Sequence, residues 1–353
     1  MGATIFSFTR RHKTLVGGTF AIVLLAVVFL VIFPQIASWQ DVREVVREIS
    51  WQWLLTLTVA ATLNVLTFAL PRMAVIPGLS FRPALTLHLA TAASVFVLPG
   101  GAVLGFGLSF AMLKGWGYQA RIITVGLTVG SVWNQFIILG APPVSFALLT
   151  MEGGADPLLN TFVWVGLIGT VVIGVGFAAS LYSAELAQGF GDSVASVVSG
   201  AMRLFRRGPV TWGGESFARF QRDSRQLLRT RWHVITLTAL VAQLSIFLVL
   251  LVALRAVGVS ADEVSLVEAF AAWSLIRVAG SLPIVPGGLG IVELGLTAAL
   301  VGFGADNAEA VATVILYRVF TTGPVLMLGA LAGATWQRQH PGWREETSAG
   351  AIS

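Results

Sequence analysis

The chain has 353 residues, 56% of them hydrophobic and 11% charged, with a formal net charge of +5 and a mean hydropathy of +0.84. These values exclude an ordinary soluble domain and describe a polytopic membrane protein; the long apolar runs exclude a membrane barrel, whose segments are short and alternating. Cysteine is absent, which rules out disulfides, thiol catalysis and cysteine metal sites, and the basic excess, nearly all arginine, points to membrane orientation and anionic headgroups rather than to nucleic acid.

In chain order, Arg10, Arg11 and Lys13 precede an uncharged run from Leu15 to Phe33. The run exceeds a signal-peptide core, so it predicts a first membrane span. Residues Ile36 to Ser50 alternate apolar positions with Asp41, Arg43, Glu44, Arg47 and Glu48, the pattern of an amphipathic interfacial helix. A second span follows from about Trp53 to Leu70, then a loop from Pro71 to Pro83 with Arg72 and Arg82. Two apolar pieces, Ala84 to Leu98 and Gly101 to Leu113, flank Pro99. Each is shorter than the roughly 20 residues of a full crossing, so they form a re-entrant hairpin or two tilted spans. A third span starts near Ile122 with an interruption at Pro142-Pro143, and a fourth runs from Leu158 to Tyr182. The arginine-rich stretch from Ser183 to His233 reads as a cytoplasmic loop or a headgroup surface. A fifth span covers Val234 to Leu254, a second broken element joins Leu266–Leu282 to Gly288–Val301, and a sixth span runs from Ala308 to Thr335.

The fold expected is therefore all-α: about six transmembrane helices plus two broken or re-entrant hairpins, in one integral membrane domain over 1–353. The repeat units lie at about 84–150 and 265–335, with the basic loop at 183–233 between them. Pro99-Gly100-Gly101 precedes Pro286-Gly287-Gly288 by 187 positions, and Gly115-Trp116-Gly117 precedes Gly302-Phe303-Gly304 by the same interval. With both termini in the cytoplasm of a cell-membrane protein, nearly all basic residues outside the spans share one face, leaving Arg43, Arg47 and Arg255 opposite. Three crossings then separate the breaks, so the repeat is inverted, the architecture of alternating-access transporters.

Candidate binding residues cluster at those breaks. Proline and glycine interrupt a helix where no water can satisfy the released backbone, so Pro99, Gly100, Gly101, Pro286, Gly287, Gly288 and Gly290 line a polar cavity or make tight turns between packed spans. In the first case the half-helix amides form an anion site. Arg277, Glu293 and Arg318 are ionisable groups at membrane depth, where a charge is costly and faces a cavity or a partner. Arg277 and Glu293 are expected at similar depth on adjacent arms: they pair, or Glu293 complements its own half-helix. Arg318, near the bend at Gly323-Pro324, is the better phosphate contact. Counting back 187 gives Ala90, Phe106 and Ser131, which confines charge to the second unit. Asn64, His88, Asn134 and Gln135 read as interhelical hydrogen-bonding residues. No signature of metalloprotease, serine hydrolase, nucleotide or prenyl-diphosphate chemistry occurs, so no catalytic residue, metal or cofactor is expected.

The run Pro286-Gly287-Gly288-Leu289-Gly290-Ile291-Val292-Glu293 resembles the second motif of the lysylphosphatidylglycerol synthase transmembrane, or flippase-like, family. Ser94 with Leu98-Pro99-Gly100-Gly101 and Lys114-Gly115 is similar to its first motif, and the resemblance covers about residues 15–335. It departs where an arginine commonly follows the first glycines, since Gly105 to Phe110 carries no charge. The resemblance implies translocation of a lipid between leaflets, without the soluble aminoacyl-transfer domain, so synthesis is not expected. The partner expected is a membrane lipid with an anionic headgroup, either a phospholipid or a polyprenyl-phosphate-linked lipid, moved by a gradient or the membrane potential. The alternatives are a scaffold for a separately encoded lipid-modifying or glycosyltransferase enzyme and, third, an enzyme acting on a polyprenyl substrate.

Overall fold

A computed structural model describes residues 39–97, 101–153, 164, 166, 168–172, 174–176, 179, 214–281 and 286–339. The expected first span, most of the fourth, Pro99, Gly100, the loop at 183–213 and the tail beyond 339 lie outside these residues. The described chain is helical, with no strand: α1 (Trp39–Glu48), α2 (Trp51–Thr67), α3 (Ala69–Val75), α4 (Phe81–Val97), α5 (Gly101–Gly115), α6 (Ala120–Gly153), α7 (Gly214–Ala256), α8 (Leu266–Ser281), a 3-10 turn (Pro286–Gly288), α9 (Ile291–Phe303) and α10 (Asn307–Gln339).

Four stretches are long and apolar enough to cross a bilayer: Trp51–Val75, Ala120–Glu152, Arg219–Ala256 and Asn307–Gln339. Their outward faces carry exposed Leu54, Leu55, Val59, Leu63, Leu237, Leu244 and Leu331, as a lipid-facing surface requires. Inside, the interhelical hydrogen bonds are short. Asn64 Nδ2 donates to Ser245 Oγ at 3.0 Å, Gln243 Nε2 to Asn134 Oδ1 at 2.8 Å and Gln135 Nε2 to Ser281 Oγ at 2.9 Å. These residues thus do the interhelical work expected of them, each bond contributing about 0.6–2 kcal/mol.

Three boundaries differ from expectation. The stretch expected as a loop after Leu70 continues as α3, so Arg72 belongs to the membrane-spanning segment. Pro71 lies in the first turn of α3, where a missing N–H costs little. Residues 214–233, expected in the polar loop, form the first half of α7, whose 43 residues reach about 64 Å at about 1.5 Å each and so extend well past the hydrocarbon. There Asp223 pairs with Arg121 at the start of α6. Finally, Pro142-Pro143 does not interrupt α6. The carbonyl of Leu139, which Pro143 leaves without its helical donor, lies 3.3 Å from the Thr170 hydroxyl, which it shares with the Gly166 carbonyl at 2.8 Å; a neighbouring hydroxyl partly replaces the lost bond, as membrane helices allow.

The repeat is visible in the elements. α6 starts at Ala120 and α10 at Asn307, the same interval of 187, and Gly117 (φ +85°) and Gly304 (φ +129°) follow the second arms at that spacing. The arms have 17 and 15 residues in the first hairpin and 16 and 13 in the second. At about 20–26 Å they fall short of the roughly 30 Å hydrocarbon layer. Small residues let the arms close up: a Cβ at Gly101 would fall 2.5 Å from Val95 Cα, and one at Gly288 3.1 Å from Gly280 Cα.

The two hairpins enter from opposite ends. Ala84 and Leu87 at the base of α4 share a core with Met112, Leu113, Ile123 and Trp336. The base of α8 and the end of α9 join Leu254, Val264, Ala305 and Ala308 in another. α4 lies against α10 of the second unit and α8 against α6 of the first; Ser274 and Ser281 of α8 meet Ser145 and Gln135 in reverse order. The inverted arrangement expected from the crossing count is thus present, and it brings the hairpin tips together.

Candidate binding cavity between the hairpins

Where the tips meet, Phe96 near the end of α4 lies against the 3-10 turn of the second hairpin. A Cβ on Gly287 would fall 2.4 Å from the Phe96 ring, and Gly287 has φ +60°. Glycine is required twice over, by contact and by backbone conformation. Gly290 precedes α9 at φ +82°. Its N–H donates to Glu293 Oε2 at 2.7 Å, so Glu293 takes up an amide that would otherwise point free from the half-helix and complements its positive end.

Glu293 is 1% exposed. Its second oxygen lies 2.8 Å from Arg318 Nε of α10, an ion pair by distance, since that N–H is not aligned as a hydrogen bond. Arg318 also donates through one terminal nitrogen to the carbonyls of Gly287 at 3.3 Å and Gly288 at 3.4 Å. It therefore ties α10 to both sides of the break. The expected pair between Glu293 and Arg277 is not formed. Arg277 instead donates from Nε to Gln243 Oε1 at 3.1 Å, and Gln243 in turn holds Asn134, linking α8, α7 and α6.

Beside these groups is a cavity of about 360 Å³, lined by Arg72, His88, Arg277 and Arg318 together with uncharged polar residues. His88 is buried and stacked on Phe68, ring centroids 4.8 Å apart. Among the described residues, no carboxylate lines it. Phe106 and Ser131, the counterparts of Glu293 and Arg318, also face it, whereas Ala90 is buried in the core. Charge is not confined to the second unit, because Arg72 supplies one from the first half. Sequence reasoning missed Arg72 and undervalued His88; the signal available was the apolar continuity of residues 51–76 around Pro71. Of the predicted residues, the structure brings Arg277, Glu293, Arg318, Gly287, Gly288 and Gly290 together. Pro286 opens the turn beside them, and Gly101 is packed on the opposing arm.

A basic cavity between two oppositely inserted half-helical hairpins places the chain in the class of polytopic membrane proteins with an inverted repeat. Residues 18–329 match the family described as the lysylphosphatidylglycerol synthase TM region, and the chain belongs to that family. No curated protein matches it.

Proposed function

We propose that the protein moves a lipid with an anionic headgroup, a phospholipid or a polyprenyl-phosphate-linked lipid, between the leaflets of the cell membrane. The observation that carries this reading is the cavity that Arg72, Arg277 and Arg318 line with no facing carboxylate. Guanidinium groups at membrane depth are costly unless something anionic meets them, and they bind phosphate oxygens in a fork that Lys does not offer. Two supports accompany it: hairpins entering from opposite ends, the framework on which alternating access is built, and membership of a family tied to lipid handling. The end bearing Arg82, Lys114, Arg121 and the arginines between 219 and 231 of α7 faces the cytoplasm, following the positive-inside rule. The chain performs no synthesis in this reading.

The test is leaflet exchange in proteoliposomes containing tail-labelled phosphatidic acid, phosphatidylglycerol or phosphatidylcholine, with the outer label bleached by dithionite. Faster loss of the signal of at least one of the two anionic lipids than in protein-free vesicles is expected, reduced about ten-fold or more in Arg277→Gln, since charge-assisted bonds contribute about 1.5–3 kcal/mol each. Exchange no faster than in empty vesicles, or unchanged in a well-folded Arg277→Gln protein, refutes the proposal.

A further inference from the structure

The charge balance of the cavity narrows the class of headgroup. Of its three arginines, Arg318 is neutralised by Glu293 at 2.8 Å. Arg72 and Arg277 have no carboxylate within 4 Å among the described residues. In sequence, residues 98–100 and 282–285 contain no acid, nor do the apolar runs at 15–33 and 157–182. Among the described residues, three arginines thus face the cavity against one carboxylate, which leaves two of the guanidinium charges uncompensated.

A second observation points the same way. Behind Arg277 and Arg318 is a smaller chamber of about 50 Å³, which these two residues, Tyr317 and Phe96 share with the main cavity. Trp273 lines this chamber, is 3% exposed, and keeps its indole N–H buried without an acceptor. An orphaned buried donor is costly and calls for an acceptor. The Arg277 guanidinium keeps terminal N–H groups beyond the one bond from Nε to Gln243. The site is thus rich in donors and poor in acceptors.

We infer that the headgroup carried by this protein bears two negative charges, as a phosphomonoester or a diphosphate-linked lipid does, rather than the single charge of a phosphodiester such as phosphatidylglycerol. This rests on the anionic-lipid reading above and sharpens it. A monoanion would leave one arginine unmatched inside the membrane, where an unpaired charge is costly; a dianion matches both, and its additional oxygens accept from the terminal N–H groups of Arg277.

The test is binding of the full-length protein in phosphatidylcholine nanodiscs, titrated at pH 8 with dioleoyl phosphatidic acid, geranylgeranyl diphosphate, dioleoyl phosphatidylglycerol and inorganic diphosphate, read by tryptophan fluorescence and native mass spectrometry. The two lipids whose headgroups can carry more than one negative charge are expected to bind about ten-fold or more tighter than phosphatidylglycerol. Arg72→Gln, which removes a charge that holds no hydrogen bond among the described residues, is expected to erase most of that preference, as is Arg277→Gln. Equal affinity for phosphatidic acid and phosphatidylglycerol, or a preference intact in a folded Arg72→Gln protein, overturns the two-charge inference and leaves the anionic-lipid reading standing. No binding of any anionic lipid overturns both. Inorganic diphosphate binding as tightly as the lipids overturns the lipid source while supporting the charge count.

Discussion

Glu293 offers the sharpest test of the architecture, because its partner was open in the sequence and is definite in the structure. The perturbation is a pair of double-mutant cycles, Glu293→Gln with Arg318→Gln and Glu293→Gln with Arg277→Gln. A contact of 2.8 Å between Arg318 Nε and Glu293 Oε1 puts the charge centres roughly 4 Å apart, where the attraction at an effective dielectric of about 20 is about 4 kcal/mol. Removing one member leaves the other buried and uncompensated, at a cost of about 3–5 kcal/mol. Gln at 293 still accepts the Gly290 N–H, so the helix cap survives and the loss reports the ion pair. Each single change at 293 or 318 is therefore expected to destabilise by about 3 kcal/mol, and the double change to recover roughly 2 kcal/mol of the sum. The cycle with Arg277 should be additive to within about 0.5 kcal/mol, because no bond joins the two. Unfolding in mixed micelles, followed by circular dichroism against denaturing detergent, measures the five variants and the unmodified protein. Additivity with Arg318, or coupling with Arg277 in its place, refutes the assignment.

Two further outcomes check the fold itself. Cysteines introduced at Ser216 and Ser260, near opposite ends of the long helix α7, should react with an impermeant maleimide from opposite faces of the membrane; labelling from one face contradicts the path of α7. Gly329→Ala should destabilise by about 2 kcal/mol or more, because its Cβ would fall 2.3 Å from the Leu89 carbonyl oxygen. Gly323→Ala, with nothing within 4 Å of its Cβ, should be close to neutral in the same unfolding assay.

The sequence by itself determined the helical membrane class, the two breaks, their spacing of 187 and the family motif. All of these depend on local composition: apolar length sets what can cross a bilayer, and proline with glycine sets where a helix cannot continue. The repeat needed only self-comparison, and α6 and α10 begin where it places them. Punctuation misled at Pro71 and Pro142-Pro143, because whether a proline ends a membrane helix depends on what satisfies the carbonyl it releases. At Leu139 that group is Thr170, 31 residues away in the chain. The polar composition of 214–233 likewise concealed a helix that α6 helps to hold through Arg121 and Asp223.

Which charges meet was decided only by the tertiary structure. Rise per residue along two arms of one hairpin placed Arg277 and Glu293 at a common depth, and depth was the only coordinate available. The angular position that turns Glu293 toward α10 arises from Phe96 lodging on Gly287 and from Gly280 closing on Gly288. Those contacts join segments up to 191 residues apart. Arg72, Arg277 and Arg318 come from three helices and line one cavity for the same reason: helix–helix packing in a membrane is set by close approach of small residues and interhelical hydrogen bonds, and a pattern along one segment does not contain its partner's rotation.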